Sequence, residues 1–294
     1  MKSIFINKSG QVRSGWKISL CLIVGIIMVI GLQILFRMVL PKNSFSMFLF
    51  RLTMPLSILG ATFFVLKVVD KKKAKDIGLA SYKEYHKDFL TGLVMGTVSL
   101  TVIFFALLAY GAYSLENSLS QPNITGDIIT SLVLYIFVGF AEEIFGRGYC
   151  MTVLWQTGNK WIVVIVSSIL FSLLHGGNPN VGIVALINTF LVGVLFAYMF
   201  LKTKSIWLPI GFHIAWNFFQ GPVYGFAVSG GEGTSVYKVK LIKDNLVTGG
   251  AYGPEAGLIG TALILLGFIF IWMYYPKGTL DNPIKMSNTR VSVK

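Results

Sequence analysis

Acid is scarce in this chain: Asp and Glu number twelve among 294 residues, against 25 Lys and Arg, and charged residues of both signs make up only 13%. With 54% hydrophobic residues and a mean hydropathy of +0.72, that scarcity excludes a water-soluble domain of this length. Cysteine is scarcer still. Cys21 and Cys150 each lie in an apolar run, which excludes a disulfide framework and reads as two small buried side chains. No soluble domain, low-complexity tract or clear internal repeat interrupts residues 1–294, so the chain is read as a single all-α, polytopic membrane domain. The basic start M-K-S-I-F-I-N-K precedes a long apolar run without a small-x-small cleavage site, and an uncleaved first helix is expected.

Uninterrupted apolar runs of about 20 residues, enough to cross a hydrocarbon core of ~30 Å, occur at 18–36, 89–110, 181–201 and 257–275. Four more runs are broken by polar residues or proline: 45–66, 128–153, 161–175 and 205–228. The expectation is therefore about eight transmembrane helices. Interrupted spans are where membrane proteins keep their sites. The net charge of +13 is not spread along one amphipathic face but sits in short segments between spans, which favours topology and anionic lipid over nucleic acid. Lys2, Lys8, Arg13 and Lys17 precede the first span, and Lys67, Lys71, Lys72, Lys73, Lys75, Lys83 and Lys87 lie between the second and third. Both segments should be cytoplasmic, as should Lys160, Lys202, Lys204 and the tail with Lys277, Lys285, Arg290 and Lys294. Only the 229–254 loop, with Lys238, Lys240 and Lys243, resists this N-in, C-in reading. The pairs Gly92/Gly96 and Gly193/Ala197 permit close helix approach.

Against this background one stretch is costly. G-F-A-E-E-I-F-G-R, from Gly139, puts two carboxylates and an arginine deep in the fourth span, where each charge costs about 2.5–3.5 kcal/mol at a helix centre. Glu143 and Arg147 are i and i+4 and can pair, whereas Glu142 points about 100° away and is left available as a general base. In F-S-L-L-H the ring of Phe171 can pack along the face that carries His175. In H-I-A-W-N, His213 and Asn217 share a face and can both donate hydrogen bonds to one oxyanion. Together these groups supply a base, a second water-orienting group and an oxyanion clamp, which suits hydrolysis of an acyl bond. Taken singly, the pair could be a helix tie or a transport element, the histidine an interfacial hydrogen-bonder and the His/Asn face polar glue. The ordered trio, with the other ten acids in loops or at span ends, favours chemistry.

The series E-E-x-x-x-R, F-x-x-x-H and H-x-x-x-N on successive membrane helices, over about 139–220, resembles the CAAX-protease and bacteriocin-processing family, also called Abi or type II CAAX prenyl endopeptidases. The flanking H-G-G-N-P-N and L-P-I-G-F-H-I-A-W-N-F share in the resemblance. It implies an intramembrane protease with a catalytic core of about 127–228. Glu142 would activate water with help from His175, Glu143 and Arg147 would support it, and His213 with Asn217 would stabilise the oxyanion. Eukaryotic members of the family remove the last three residues of prenylated CaaX proteins, while bacterial members are linked to peptide processing, bacteriocin immunity or regulation of membrane proteins. The expected partners are a membrane-embedded or lipidated peptide substrate and anionic lipid at Lys71–Lys75, and the expected place is a bacterial plasma membrane. The family is grouped with metalloproteases. Glu142, His175 and His213 could make a His₂Glu zinc site, although the sequence has no H-E-x-x-H and a glutamate-activated water requires no cofactor. A non-catalytic immunity or transport-like protein using the same cluster is the alternative. One tension accompanies the motif trio: counting at ~1.5 Å per residue leaves His175 towards the outer end of its helix, away from Glu142.

Overall fold

The structure, a computed structural model, describes residues 2–7, 9–276 and 280; Lys8 and the basic tail with Lys277, Lys285, Arg290 and Lys294 lie outside the described residues. The apolar runs fold into helices α1 (Ser14–Val39), α2 (Ser44–Val68), α3 (Tyr82–Ala109), α4 (Asp127–Glu143), α5 (Lys160–Leu174), α6 (Ile183–Thr203), α7 (Trp207–Phe218) and α8 (Leu258–Tyr274). Helix α4 runs on through a π-helical turn, Ile144–Cys150, and a last turn, Met151–Leu154; α7 likewise runs into a π-helical turn, Phe219–Val223. Polar side chains mark two of the starts. Asn43 accepts from the Ser46 N–H at 2.8 Å, and Asn159 accepts from the N–H groups of Trp161 and Ile162, satisfying donors that a helix start leaves orphaned.

Among the described residues five helices, α1, α2, α3, α4 with its continuation, and α6, are long and apolar enough to cross a membrane. Ile23, Ile26, Ile27, Ile30 and Ile34 of α1 stand exposed, as do similar apolar faces on α3 and α8. Such surfaces are stable only in an apolar solvent, so this is an integral membrane protein of all-α class.

Connections alternate between two faces. On one face Ser14 donates to the Val153 carbonyl, Lys17 pairs with Asp70, the Gly78 carbonyl accepts from the Ile206 N–H at 3.1 Å, and Tyr275 donates to Asp88 at 2.7 Å. The opposite face carries a two-stranded antiparallel sheet, β1 (Tyr113–Leu115) on β2 (Val239–Leu241), with Ser114 opposite Lys240. Lys243 of that face donates to the Tyr110 carbonyl at 2.7 Å, with its ammonium 4.3 Å from the Tyr110 ring centroid. It caps the carbonyl end of α3, which gives one of the three lysines at odds with the charge count a local role.

The most extensive helix contact joins α3 to α7. A Cβ on Gly92 would stand 2.2 Å from the Leu208 carbonyl oxygen, one on Gly96 2.6 Å from that of Phe212, and one on Gly211 2.2 Å from that of Phe89. Backbone meets backbone there, as the Gly92/Gly96 spacing predicts, and this contact positions the helix that carries His213 and Asn217.

Candidate active site

Helix α4 delivers both glutamates in its final turn. The π-helical turn that follows, with all seven residues buried, carries Arg147. Such turns widen the backbone ring by one residue and recur at functional sites. Arg147 reaches back to Glu143 at 3.1 Å, with side-chain exposures of 1% and 0%. Its guanidinium carbon lies 4.1 Å from the ring centroid of Phe171 on α5 and 5.0 Å from that of Phe196 on α6. The charge taken from water is thus compensated by one carboxylate and two aromatic faces.

Glu143 also accepts, on the same Oε1, from His213 Nδ1 at 3.0 Å. A carboxylate can only accept, so the His213 proton is on Nδ1 and Nε2 is bare in the neutral ring. His175, which caps the end of α5, has Nδ1 2.8 Å from the Phe171 carbonyl oxygen, and the same reasoning leaves its Nε2 bare. Both bare nitrogens face Glu142 Oε2, at 3.8 Å from His175 and 3.9 Å from His213. That oxygen is buried and has no hydrogen-bond partner among the described residues. Three acceptor atoms therefore converge on one point, an arrangement that can orient a water and take its proton. Asn217, one turn beyond His213 and 7% exposed, lines a cavity of ≈ 50 Å³ together with Phe171, His175 and His213. Among the described residues its amide has no hydrogen-bond partner.

The structure thus gathers Glu142, Glu143, Arg147, Phe171, His175, His213 and Asn217 into one cluster. The depth of His175 follows from the length of α5. Fifteen residues at ~1.5 Å each rise ~22 Å, so α5 is too short to cross a ~30 Å core, and the chain turns from its end into α6. The loop after α7 covers that turn. Gly230, at φ +79°, lies against the Pro179 carbonyl, where a Cβ would stand 1.9 Å from the oxygen, and Asn178 donates to Tyr252 at 3.5 Å.

Sequence reasoning missed two residues of the site. Phe196, which stacks on Arg147 and lies 5.5 Å from His213 between ring centroids, is one aromatic among many in an unbroken apolar run. Glu255 reads as a loop acid, yet it lines the same cavity as His175 and His213. Burial raises its carboxyl above the ordinary range, and the Ser229 N–H it accepts from pulls the other way. Its only sequence signal is the company of Gly253, Pro254 and Gly257, which shape a tight return into α8.

Comparison with known proteins bears on the same region. The family model described as type II CAAX prenyl endopeptidase Rce1-like matches residues 124–219. A protein of Bacillus subtilis (strain 168) named "Putative membrane peptidase YdiL" is 30% identical over 98 residues, which is 32% of this chain and 38% of the relative. The matched segment therefore spans well under half of that relative's length.

Proposed function

We propose, from the match of residues 124–219 to the type II CAAX prenyl endopeptidase Rce1-like model, that this chain is a CAAX-protease-type intramembrane endopeptidase whose base is Glu142. The observation that carries the proposal is the approach of two bare imidazole nitrogens to Glu142 Oε2, at 3.8 and 3.9 Å, beside the free amide of Asn217.

In this reading, Glu142 takes a proton from a water oriented by His175 Nε2, and the hydroxide so formed attacks the carbonyl carbon of the scissile bond. The developing oxyanion receives a hydrogen bond from the Asn217 amide and a second from His213 Nε2, the neutral ring having taken a proton from solvent as substrate binds. Glu143, accepting from Nδ1, stabilises that imidazolium, which is the use of pairing this carboxylate with both Arg147 and His213. Collapse of the intermediate breaks the C–N bond, and the proton held by Glu142 passes to the leaving amine. A positioned general base contributes ~10²–10⁴-fold, and each oxyanion donor ~10²–10³-fold.

The donor types of Glu142, His175 and His213 suit zinc. Among the described residues, however, no three His, Cys, Asp or Glu side chains are gathered closely enough to hold a metal ion, and no step above passes through one. Metal analysis tests this directly: stoichiometric zinc in the purified protein, lost in His175→Ala, would replace the metal-free scheme.

The substrate class is a membrane-embedded or lipidated peptide, met within the bilayer. Lys71–Lys75 lie on the face that N-in, C-in insertion turns towards the cytoplasm of a bacterial cell, where anionic lipid would meet them. Profiling of peptide termini in cells carrying wild type or Glu142→Gln tests catalysis. New termini should be present only with wild type, while both proteins insert and purify alike. Function that survives Glu142→Gln would instead support the immunity or transport-like alternative.

A further inference from the structure

We propose that Glu255 is a substrate-binding residue that takes an ammonium group, a lysine side chain or a free α-amino group, next to the scissile bond. The proposal rests on the endopeptidase reading and extends it to substrate choice. Glu255 is supplied by the loop that follows α7, outside the segment matched by the family model.

The position of Glu255 is built. Asn188 of α6, 2% exposed, donates its amide to the carbonyls of Glu255 and Gly257 at 2.8 and 3.0 Å, and Thr261 donates to Asn188 Oδ1 at 2.7 Å. The short turn Pro254–Ala256 is thereby tied to α6, and its carboxylate lines the cavity of His175, His213 and Asn217. There it accepts from the Ser229 N–H. A backbone N–H only donates, so it holds a carboxylate as an acceptor and supplies no charge to balance it.

Charge is what the site has in excess. With neutral imidazoles it contains three carboxylates, Glu142, Glu143 and Glu255, and one cation, Arg147, which is committed to Glu143. Among the described residues no Lys, Arg or His lies within ion-pairing distance of Glu255, and the charge that bears on it from further off is that of His175 when its ring is protonated. An unpaired, largely buried carboxylate is costly; a glutamine could hold the loop equally well through the Ser229 N–H, at no such cost. The negative charge finds its use when a cation arrives. A second observation points to a ligand in the same space: Asn217 is more than nine-tenths buried, borders the cavity and has no protein partner among the described residues. The cavity's ≈ 50 Å³ admits a compact head group such as an ammonium.

The test uses purified full-length protein in a neutral detergent at pH 7.5, with n-decylammonium and n-decanol as paired probes of equal chain length. The ammonium should raise the melting temperature of wild type by several degrees more than the alcohol does. The gap should vanish in Glu255→Gln, which still accepts from Ser229, and persist in Glu255→Asp. A second measurement needs no variant: carbodiimide-driven coupling of decylamine to native wild type, mapped by mass spectrometry, should mark Glu255. No gap in wild type, an undiminished gap in Glu255→Gln, or coupling that spares Glu255 overturns the proposal. Peptide cleavage is read in parallel on a synthetic library, where wild type should prefer lysine over methionine near the cleaved bond at least tenfold and Glu255→Gln should not. A Glu255-dependent gap with no cleavage by wild type overturns the endopeptidase reading alone. Cleavage that requires Glu142, with no gap, overturns the cation site alone.

Discussion

At the scale of residues, adjacent glutamates have opposite circumstances because a helix turns by about 100° per residue. Glu143 is wholly enclosed by Arg147 and His213, while Glu142, 21% exposed at its side chain, meets only the two bare nitrogens. Removing the cation would leave the buried Glu143 carboxylate with the His213 N–H alone to compensate it among the described residues, so Arg147→Met should cost roughly 3–5 kcal/mol, read as a lower melting temperature in detergent. Arg147→Lys should recover little of it. An ammonium cannot lie flat between the rings of Phe171 and Phe196 as the guanidinium does. In the proposed mechanism Asn217 donates to the oxyanion, so Asn217→Ala should lower kcat ~10²–10³-fold with KM nearly unchanged; a change in KM alone would assign Asn217 to ground-state binding. The pairing of Glu143 with Arg147 and the contact of Phe171 with His175 are legible in the chain because each partner lies one helical turn away. Phe196 and Glu255 are not, since their partners come from other helices.

At the scale of elements, the site depends on helices that depart from regularity. The π-helical turn after Glu143 and the early end of α5 are set by the surrounding packing, and neither has a propensity signature in I-F-G-R-G-Y-C or F-S-L-L-H. The α3–α7 contact is the reverse case. Its glycines are visible in the sequence and their role follows from size. Gly96→Leu would push a side chain against the Phe212 carbonyl and Trp216 N–H, and should cost at least ~1–3 kcal/mol while displacing His213 and Asn217. The expected result is a lower melting temperature together with lost cleavage. Gly31→Leu on α1, where a Cβ meets nothing within 4 Å, is the control and should leave both unchanged.

At the scale of the whole molecule, alternating connections place the segment 71–75 on one face and the segments 116–126 and 229–241 on the other. Single cysteines at Ser120 and Glu232, in a background lacking Cys21 and Cys150, should react with an impermeant maleimide on intact cells. One at Lys73 should react only after permeabilisation; the opposite pattern would invert the N-in, C-in orientation. Hydropathy and charge are properties of local segments, so the amino-acid sequence by itself determined an all-α membrane protein, its apolar runs and the three motifs. Tertiary structure alone decided that Glu143 meets His213, 70 residues away, that α5 stops where His175 can face Glu142, and that Glu255 enters the cavity. The physical reason is that these are distances between distant parts of the chain, set by how helices of unequal length pack and not by any periodicity within one of them.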